Sequence, residues 1–154
     1  MDNILSLHQD LKNYTYQHGT YEDFYVNDPK RRHINKATVR DRLLHHAVYR
    51  QLYPFFDKTF ISDSFSCRKD KGTHKALNRF KAMIYTVSKN HTHTCWVLKC
   101  DIRKFFDSIN HQILLNILSQ HINDQDIINL LNNIIESYNS EIYGKGTDLP
   151  LGNL

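Results

Sequence analysis

The feature that most constrains this chain is an aspartate at the end of an apolar run. Trp96-Val97-Leu98-Lys99-Cys100-Asp101-Ile102 leads straight into Arg103-Lys104-Phe105-Phe106-Asp107-Ser108-Ile109. Val97, Leu98 and Ile102 suit a pleated interior, and the run is too short for a core helix. The expectation is a buried strand with Asp101 at or near its end, hard against two aromatic rings. An ionised carboxylate is expensive to bury alone. Backbone hydrogen bonds at a strand end relieve that cost, and so does a hard divalent cation, which takes carboxylate oxygens. Asp101 taken by itself favours the first.

The surrounding chain is long enough for a single core. It has 154 residues, of which 40% are hydrophobic and 12% aromatic, a globular rather than a disordered composition. A net charge of +4 permits a polyanionic partner without demanding one. The three cysteines, Cys67, Cys95 and Cys100, are odd in number and lack CxxC spacing. That usage suits a reducing, intracellular setting, and the expected location is the cytoplasm. There is no signal peptide and no apolar run long enough to cross a bilayer, so no membrane association is expected. Leu149-Pro150-Leu151-Gly152-Asn153-Leu154 is apolar and turn-forming, unlike a solvated tail. The chain therefore reads as the front part of a longer protein.

Periodicity and punctuation give the elements. Ile4, Leu5, Leu7, Leu11 and Tyr14 predict an amphipathic helix from Met1 to about His18, which either packs on the domain or serves as an interaction helix. Tyr21 to Asn27 alternates aromatic and polar residues, Asp28-Pro29 signals a turn, and Arg31 to Lys36 returns as a second strand. The tip is basic: Lys30, Arg31, Arg32, His33 and Lys36. Thr38 caps a helix that runs to about Tyr53, where Pro54 stops it. Phe55 to Arg68 is a mixed loop. After Lys71-Gly72-Thr73-His74 comes a helix with Ala76, Leu77, Phe80, Ile84 and Val87 on one side. Beyond the central run, Ile109, Ile113, Leu114, Ile117 and Leu118 predict a core-facing helix capped by Ser108 or Asn110. Ile127, Ile128, Leu131, Ile134 and Ile135 predict another, from Asp124 or Asp126 to Tyr138.

Two groupings invite a metal and are better explained without one. His45 and His46 are adjacent on a helix and point apart, so they are expected to pack or hydrogen-bond. His91, His93 and Cys95 would share one strand face, but no fourth ligand follows with convincing spacing. A plain strand entrance is expected there.

Four blocks, in order, resemble reverse transcriptases, most closely the bacterial kind found in group II introns, retrons and diversity-generating retroelements. They are Arg40-Asp41-Arg42-Leu43-Leu44-His45-His46-Ala47, Lys71-Gly72-Thr73-His74-Lys75-Ala76-Leu77, Asp101 to His111, and Leu149-Pro150-Leu151-Gly152-Asn153. The resemblance runs from about Asp28 to the last residue. It implies an α+β fold: the fingers and part of the palm of a right-hand polymerase, truncated before the second catalytic motif and the thumb. The implied segments are an N-terminal helix at 1–20, a fingers hairpin and helix at 21–62, a first palm segment at 63–108, a helical fingers segment at 109–146 and the start of a second palm segment at 147–154.

The same resemblance implies an activity, RNA-directed DNA polymerase of a bacterial retroelement, and assigns residues to it. Asp101 is the catalytic carboxylate, one of those that hold two magnesium ions, and the carbonyl of Ile102 is an extra oxygen ligand. Such ions activate a primer hydroxyl and neutralise the leaving group. Arg32 best matches the arginine that meets the nucleotide's triphosphate, with Lys30 second; a guanidinium bonds phosphate bidentately. Phe106 stands where a bulky side chain lies under the nucleotide sugar and excludes a 2′-hydroxyl, while Phe105 is expected in the core. Leu151 and Gly152 lie beneath the template–nucleotide pair. Arg68, Lys69 and Lys71 are placed near the template strand, where charge alone equally allows a solvated turn. The implied partners are an RNA template, a DNA primer, deoxynucleoside triphosphates and a retroelement-encoded accessory protein. The sequence contains no Asp-Asp pair, so a second catalytic block is missing and the chain alone is expected to be inactive. The alternative is a non-catalytic nucleic-acid-binding module or a remnant.

Overall fold

The computed structural model describes residues 2–29, 31–138 and 146–150. The order is α1 (Asp2–Lys12), β1 (Glu22–Val26), β2 (Arg32–Lys36), α2 (Val39–Phe56), α3 (Thr73–Val87), a 3-10 turn at Phe106–Ser108, α4 (His111–Ser119) and α5 (Gln125–Glu136). Helices thus mix with a small antiparallel sheet of β1 and β2, as an α+β reading requires. The chain divides into two compact units, Met1–Val48 with Ile102–Leu154, and Tyr49–Asp101.

In the first unit, α1 turns Leu7 inward against Tyr16 and Leu44, with Leu11, Val48, Leu130 and Ile134 packed around them. The N-terminal helix therefore packs on the domain. It ends earlier than expected because Tyr14 takes a left-handed φ of 57°. The expected hairpin forms, with Glu22 opposite Lys36, Phe24 opposite Ile34 and Val26 opposite Arg32. Thr38 caps α2 by accepting a hydrogen bond from the Asp41 amide at 3.2 Å. Pro54 falls inside the last turn rather than stopping the helix, which runs on to Phe56.

Asp41 has no solvent exposure. Its carboxylate accepts hydrogen bonds from the Tyr16 hydroxyl at 2.8 Å, the Thr38 hydroxyl at 2.5 Å and the Gly19 amide at 3.2 Å. Burial pushes its pKa up, but the bonds from Thr38 and Tyr16, the nearby His18 and the Gly19 amide outweigh burial and hold it below the usual carboxylate range. Gly19 is glycine for want of space: a Cβ there would lie 2.9 Å from a carboxylate oxygen of Asp41. Asn133 on α5 ties into the same segment, donating to the Tyr16 carbonyl at 3.0 Å and accepting from the His18 amide at 3.3 Å.

His45 hydrogen-bonds as expected. Its Nε2 lies 3.2 Å from Nε2 of His18, whose Nδ1 donates to the Gly19 carbonyl at 2.7 Å. With that hydrogen on Nδ1, the Nε2 of His18 accepts from the Nε2–H of His45. Burial, reinforced by His18 and His46 and opposed by Asp41, pulls the His45 pKa down to about 4.

The helices α4 and α5 pack together. Their caps are side chains that sequence names: Asn110 accepts from the Ile113 amide at 3.0 Å, and Asp124 accepts from the amides of Asp126 and Ile127. The inward face of α4 differs from expectation. Ile113 and Ile117 are exposed, while His111 and Leu115 are buried. His111 is drawn in by carbonyl partners from residues 146–148, which turns that stripe of the helix inward. On α5 the expected stripe holds at Leu131 and Ile135, which are buried.

The second unit contains α3, which buries none of its residues. The loop before it is clasped by Arg68, described below. After α3, Lys89, Asn90 and His91 all take left-handed φ, and the His93 amide returns to the Ser88 carbonyl at 2.8 Å. This turn replaces the expected strand entrance at His91, His93 and Cys95. Residues 94–102 have no regular secondary structure, so the expected buried strand is also absent. Trp96 is 93% exposed and Leu98 88%. A strand is stabilised by its ladder partners, and among the described residues the sheet consists of β1 and β2 alone.

Asp41→Ala strands the Tyr16 hydroxyl and the Gly19 amide. It is expected to cost about 3–5 kcal/mol, the penalty for breaking a buried charged pairing, measured by urea unfolding followed by circular dichroism. The His45 arrangement predicts acid sensitivity. Above pH 6.5, the ordinary value, His45 is neutral folded and unfolded alike. As pH falls towards 4 the unfolded chain takes up a proton that the folded chain refuses, so stability declines, and below 4 this contribution levels off. The loss is expected to be roughly 1–3 kcal/mol after solvent screening. Comparing unfolding of the natural chain and His45→Gln between these pH values isolates it.

Candidate functional site

The two blocks of the chain that carry the central motif and the terminal Leu-Pro run meet in the first unit. A turn at 103–105 leads into the 3-10 turn Phe106–Ser108. The turn is fastened by the Ser108 amide, which donates to the Lys104 carbonyl at 3.1 Å, and the Ser108 hydroxyl, which donates to the Phe105 carbonyl at 2.9 Å. Asn110 then starts α4. Residues 146–149 return antiparallel to this segment, with Asn110 and Thr147 forming a β-bridge. The Asp148 amide donates to the Ile109 carbonyl at 3.1 Å and the Leu149 amide to the Phe106 carbonyl at 3.2 Å. From the other side, the His111 amide donates to the Gly146 carbonyl at 2.9 Å.

Phe106 therefore sits beside Leu149. The residue is 43% exposed, and its ring meets Phe105 edge to face at 5.4 Å between centroids. Phe105, expected in the core, is 49% exposed, so neither ring is a core residue. An accessible ring seated on a hydrogen-bonded turn can form the wall of a pocket. Leu151 and Gly152, expected beneath a base pair, lie outside the described residues.

Asp101 and Ile102 are both exposed, in the irregular stretch that precedes the turn. Asp101 brings one carboxylate. Among the described residues no three His, Cys, Asp or Glu side chains converge to hold a metal ion. A two-ion site needs several carboxylate oxygens, so the described residues do not fit one.

The expected cations fall into two groups. Arg32 begins β2, opposite Val26, is exposed and makes no ion pair among the described residues. Arg31 beside it lies 4.1 Å over the Tyr25 ring, which stacks on His33. Lys30 is outside the described residues. In the second unit, Arg68 is held within its own loop. It donates to the Asp57 carboxylate at 2.7 Å and to the carbonyls of Asp57, Ile61 and Ser64 at 3.0, 3.1 and 3.3 Å. The bond from Arg68 holds the Asp57 carboxyl below its usual range. Lys71 donates to the Ser62 carbonyl and lies 5.3 Å from the Phe65 ring. The Lys69 amide donates to the Tyr53 hydroxyl oxygen at 2.7 Å, and the residue itself is exposed.

Sequence reasoning gave His111 no role of its own. It is 3% exposed, and its Nε2 donates to the Asp148 carbonyl at 2.7 Å. The available signal was its i, i+4 spacing with Leu115 on a helix whose other stripe also looked apolar.

A sequence profile described as reverse transcriptase (RNA-dependent DNA polymerase) matches residues 26–152. The chain belongs to the reverse transcriptase family. It is 26% identical over 133 residues to the group II intron-encoded protein LtrA of Lactococcus lactis, which covers 84% of this chain and 21% of that one. It is 24% identical over 102 residues to the protein YkfC of Escherichia coli, covering 66% of this chain and 26% of that one. A nuclear intron maturase of Arabidopsis thaliana is 25% identical over 92 residues, which is 60% of this chain and 12% of the relative. The chain thus spans about a quarter or less of the length of these relatives.

Cations held by hydrogen bonds within the fold and exposed cations should behave differently. Arg68→Ala is expected to lower the melting temperature and leave the salt slope of single-stranded RNA binding unchanged. Arg32→Ala and Lys69→Ala should leave stability nearly unchanged and reduce the slope of log affinity on log salt by about 0.7 each. Fluorescence anisotropy with a labelled RNA at several salt concentrations separates the two outcomes.

Proposed function

We propose that this chain supplies the nucleotide- and template-facing part of an RNA-directed DNA polymerase encoded by a retroelement, of the intron-encoded kind that its relatives' names describe. The observation that carries this reading is the hydrogen-bonded pairing of Phe106–His111 with residues 146–149. It joins two family blocks far apart in sequence and leaves an accessible ring at the junction. In this reading the Phe106 ring lies under the sugar of an incoming deoxynucleotide and collides with a 2′-hydroxyl. Leu149 and the residues after it back the base pair. Arg32 meets the triphosphate, and an RNA template with a DNA primer crosses the exposed cations. Residues 21–62 and 109–146 act as fingers, and residues 63–108 and 147–154 belong to the palm.

Asp101 is the carboxylate offered to magnesium in this scheme. One carboxylate does not hold two ions, and the sequence has no Asp-Asp pair. The 154 residues are therefore expected to bind nucleic acid and nucleotide without polymerising. A non-catalytic nucleic-acid-binding module is the second reading, favoured by the lack of a converging metal-ligand set among the described residues.

Primer extension on an RNA template with magnesium and deoxynucleotides tests both. The purified chain is expected to incorporate nothing, and robust incorporation would overturn the single-carboxylate argument. In a polymerising protein that carries this sequence, Asp101→Asn should abolish synthesis while changing stability by less than about 0.5 kcal/mol, because the residue is exposed. Retained synthesis would favour the binding module. Phe106→Ala should raise ribonucleotide incorporation relative to deoxyribonucleotide. Its stability cost should fall well short of the roughly 3–5 kcal/mol of a buried ring.

A further inference from the structure

The buried imidazole of His111 is half satisfied. Nε2 is 2.7 Å from the Asp148 carbonyl, which can only accept, so Nε2 carries the hydrogen. Nδ1 is then a bare acceptor, and it is buried without a hydrogen-bond partner among the described residues. Burying an unpaired acceptor is unfavourable, and an apolar side chain would avoid it. What an apolar side chain lacks is the Nε2 donor. That donor holds the carbonyl of the peptide unit joining Asp148 to Leu149. The amide of the same unit, on Leu149, is the one that bonds the Phe106 carbonyl. One peptide plane is thus gripped at both ends, by His111 on its oxygen and by Phe106 on its nitrogen. The main-chain bonds at Gly146 and Ile109 fix the strand's register. The grip on this plane fixes its tilt, and with it the direction in which the chain leaves Leu149.

We propose that His111 is a positioning residue of the nucleotide pocket: its Nε2–H sets the Asp148–Leu149 peptide plane against Phe106 and so sets how strongly the pocket discriminates deoxyribose from ribose. This rests on the reading of Phe106 as the sugar-facing ring. His111 touches no substrate; it acts through the peptide plane.

The test uses the whole 154-residue chain in three forms: natural, His111→Leu and His111→Gln. Leucine removes the donor and keeps the bulk, while glutamine returns an amide donor at similar reach. Amide hydrogen exchange at Leu149 reads the grip on the plane. Titration with dGTP and with GTP, magnesium present, reads discrimination. The Leu variant is expected to lose protection at Leu149, and its preference for dGTP should fall on the order of tenfold, the scale on which misplaced supporting groups act. The Gln variant should restore both. A merely structural histidine would lower the melting temperature and leave the dGTP-to-GTP ratio unchanged, and that result overturns the proposal. Unchanged protection in the Leu variant overturns it as well. If the natural chain binds dGTP no better than GTP, the specificity role falls together with the sugar-facing reading of Phe106. Discrimination that survives in the Leu variant sinks His111 alone.

Discussion

The buried carboxylate of Asp41 is the constraint on which the first unit depends. It sits in the first turn of α2 and collects donors from a segment more than twenty residues earlier, Tyr16 and Gly19. A charge in that position is tolerable only while every donor stays in place. The segment from Tyr16 to Gly19 is therefore fixed in its course, and Gly19 must remain without a side chain. Through Asn133 the same segment reaches α5. The apolar cluster of Leu7, Tyr16 and Leu44 forms around this frame. Tyr16 belongs to both, its ring in the cluster and its hydroxyl on the carboxylate.

The second unit is organised by different means. Its loop is drawn together by a guanidinium rather than by apolar burial: Arg68 spans Asp57, Ile61 and Ser64. Arg79 adds a two-pronged bond to Asp63 at 2.8 and 3.2 Å. Such directional contacts fix a loop's shape but contribute modestly to stability at exposed positions. The long apolar side chains of α3, Leu77, Phe80 and Met83, remain about half exposed.

What was legible in the sequence was local. Thr38, Asn110 and Asp124 cap helices through bonds to amides two or three residues away, and such bonds leave a compositional mark. The hairpin was legible because a turn signal separates two alternating runs. What was not legible includes contacts with distant partners. The charge of Arg68 is visible in the sequence, and its pairing with Asp57 is not. The inward face of α4 was misread because carbonyls from residues 146–148 select His111 over Ile113. Residues 96–102 have strand composition, but a strand is a property of a pair, and β-propensity measures fit to a pleated surface that neighbours must supply. At the candidate site, the family blocks named Phe106 and Asp101. Only the fold brought Leu149 to the Phe106 carbonyl.

The exposure of Trp96 has an optical consequence. It is the chain's single tryptophan, and it stands almost wholly in water within the second unit. Its emission in the folded protein should already resemble that of an unfolded one. Intrinsic tryptophan fluorescence is thus nearly silent to the melting of α1, α2, α4 and α5. The same silence makes the residue a clean reporter of whatever comes to cover residues 96–98, since any partner that seats there moves the indole out of water against an unchanging background.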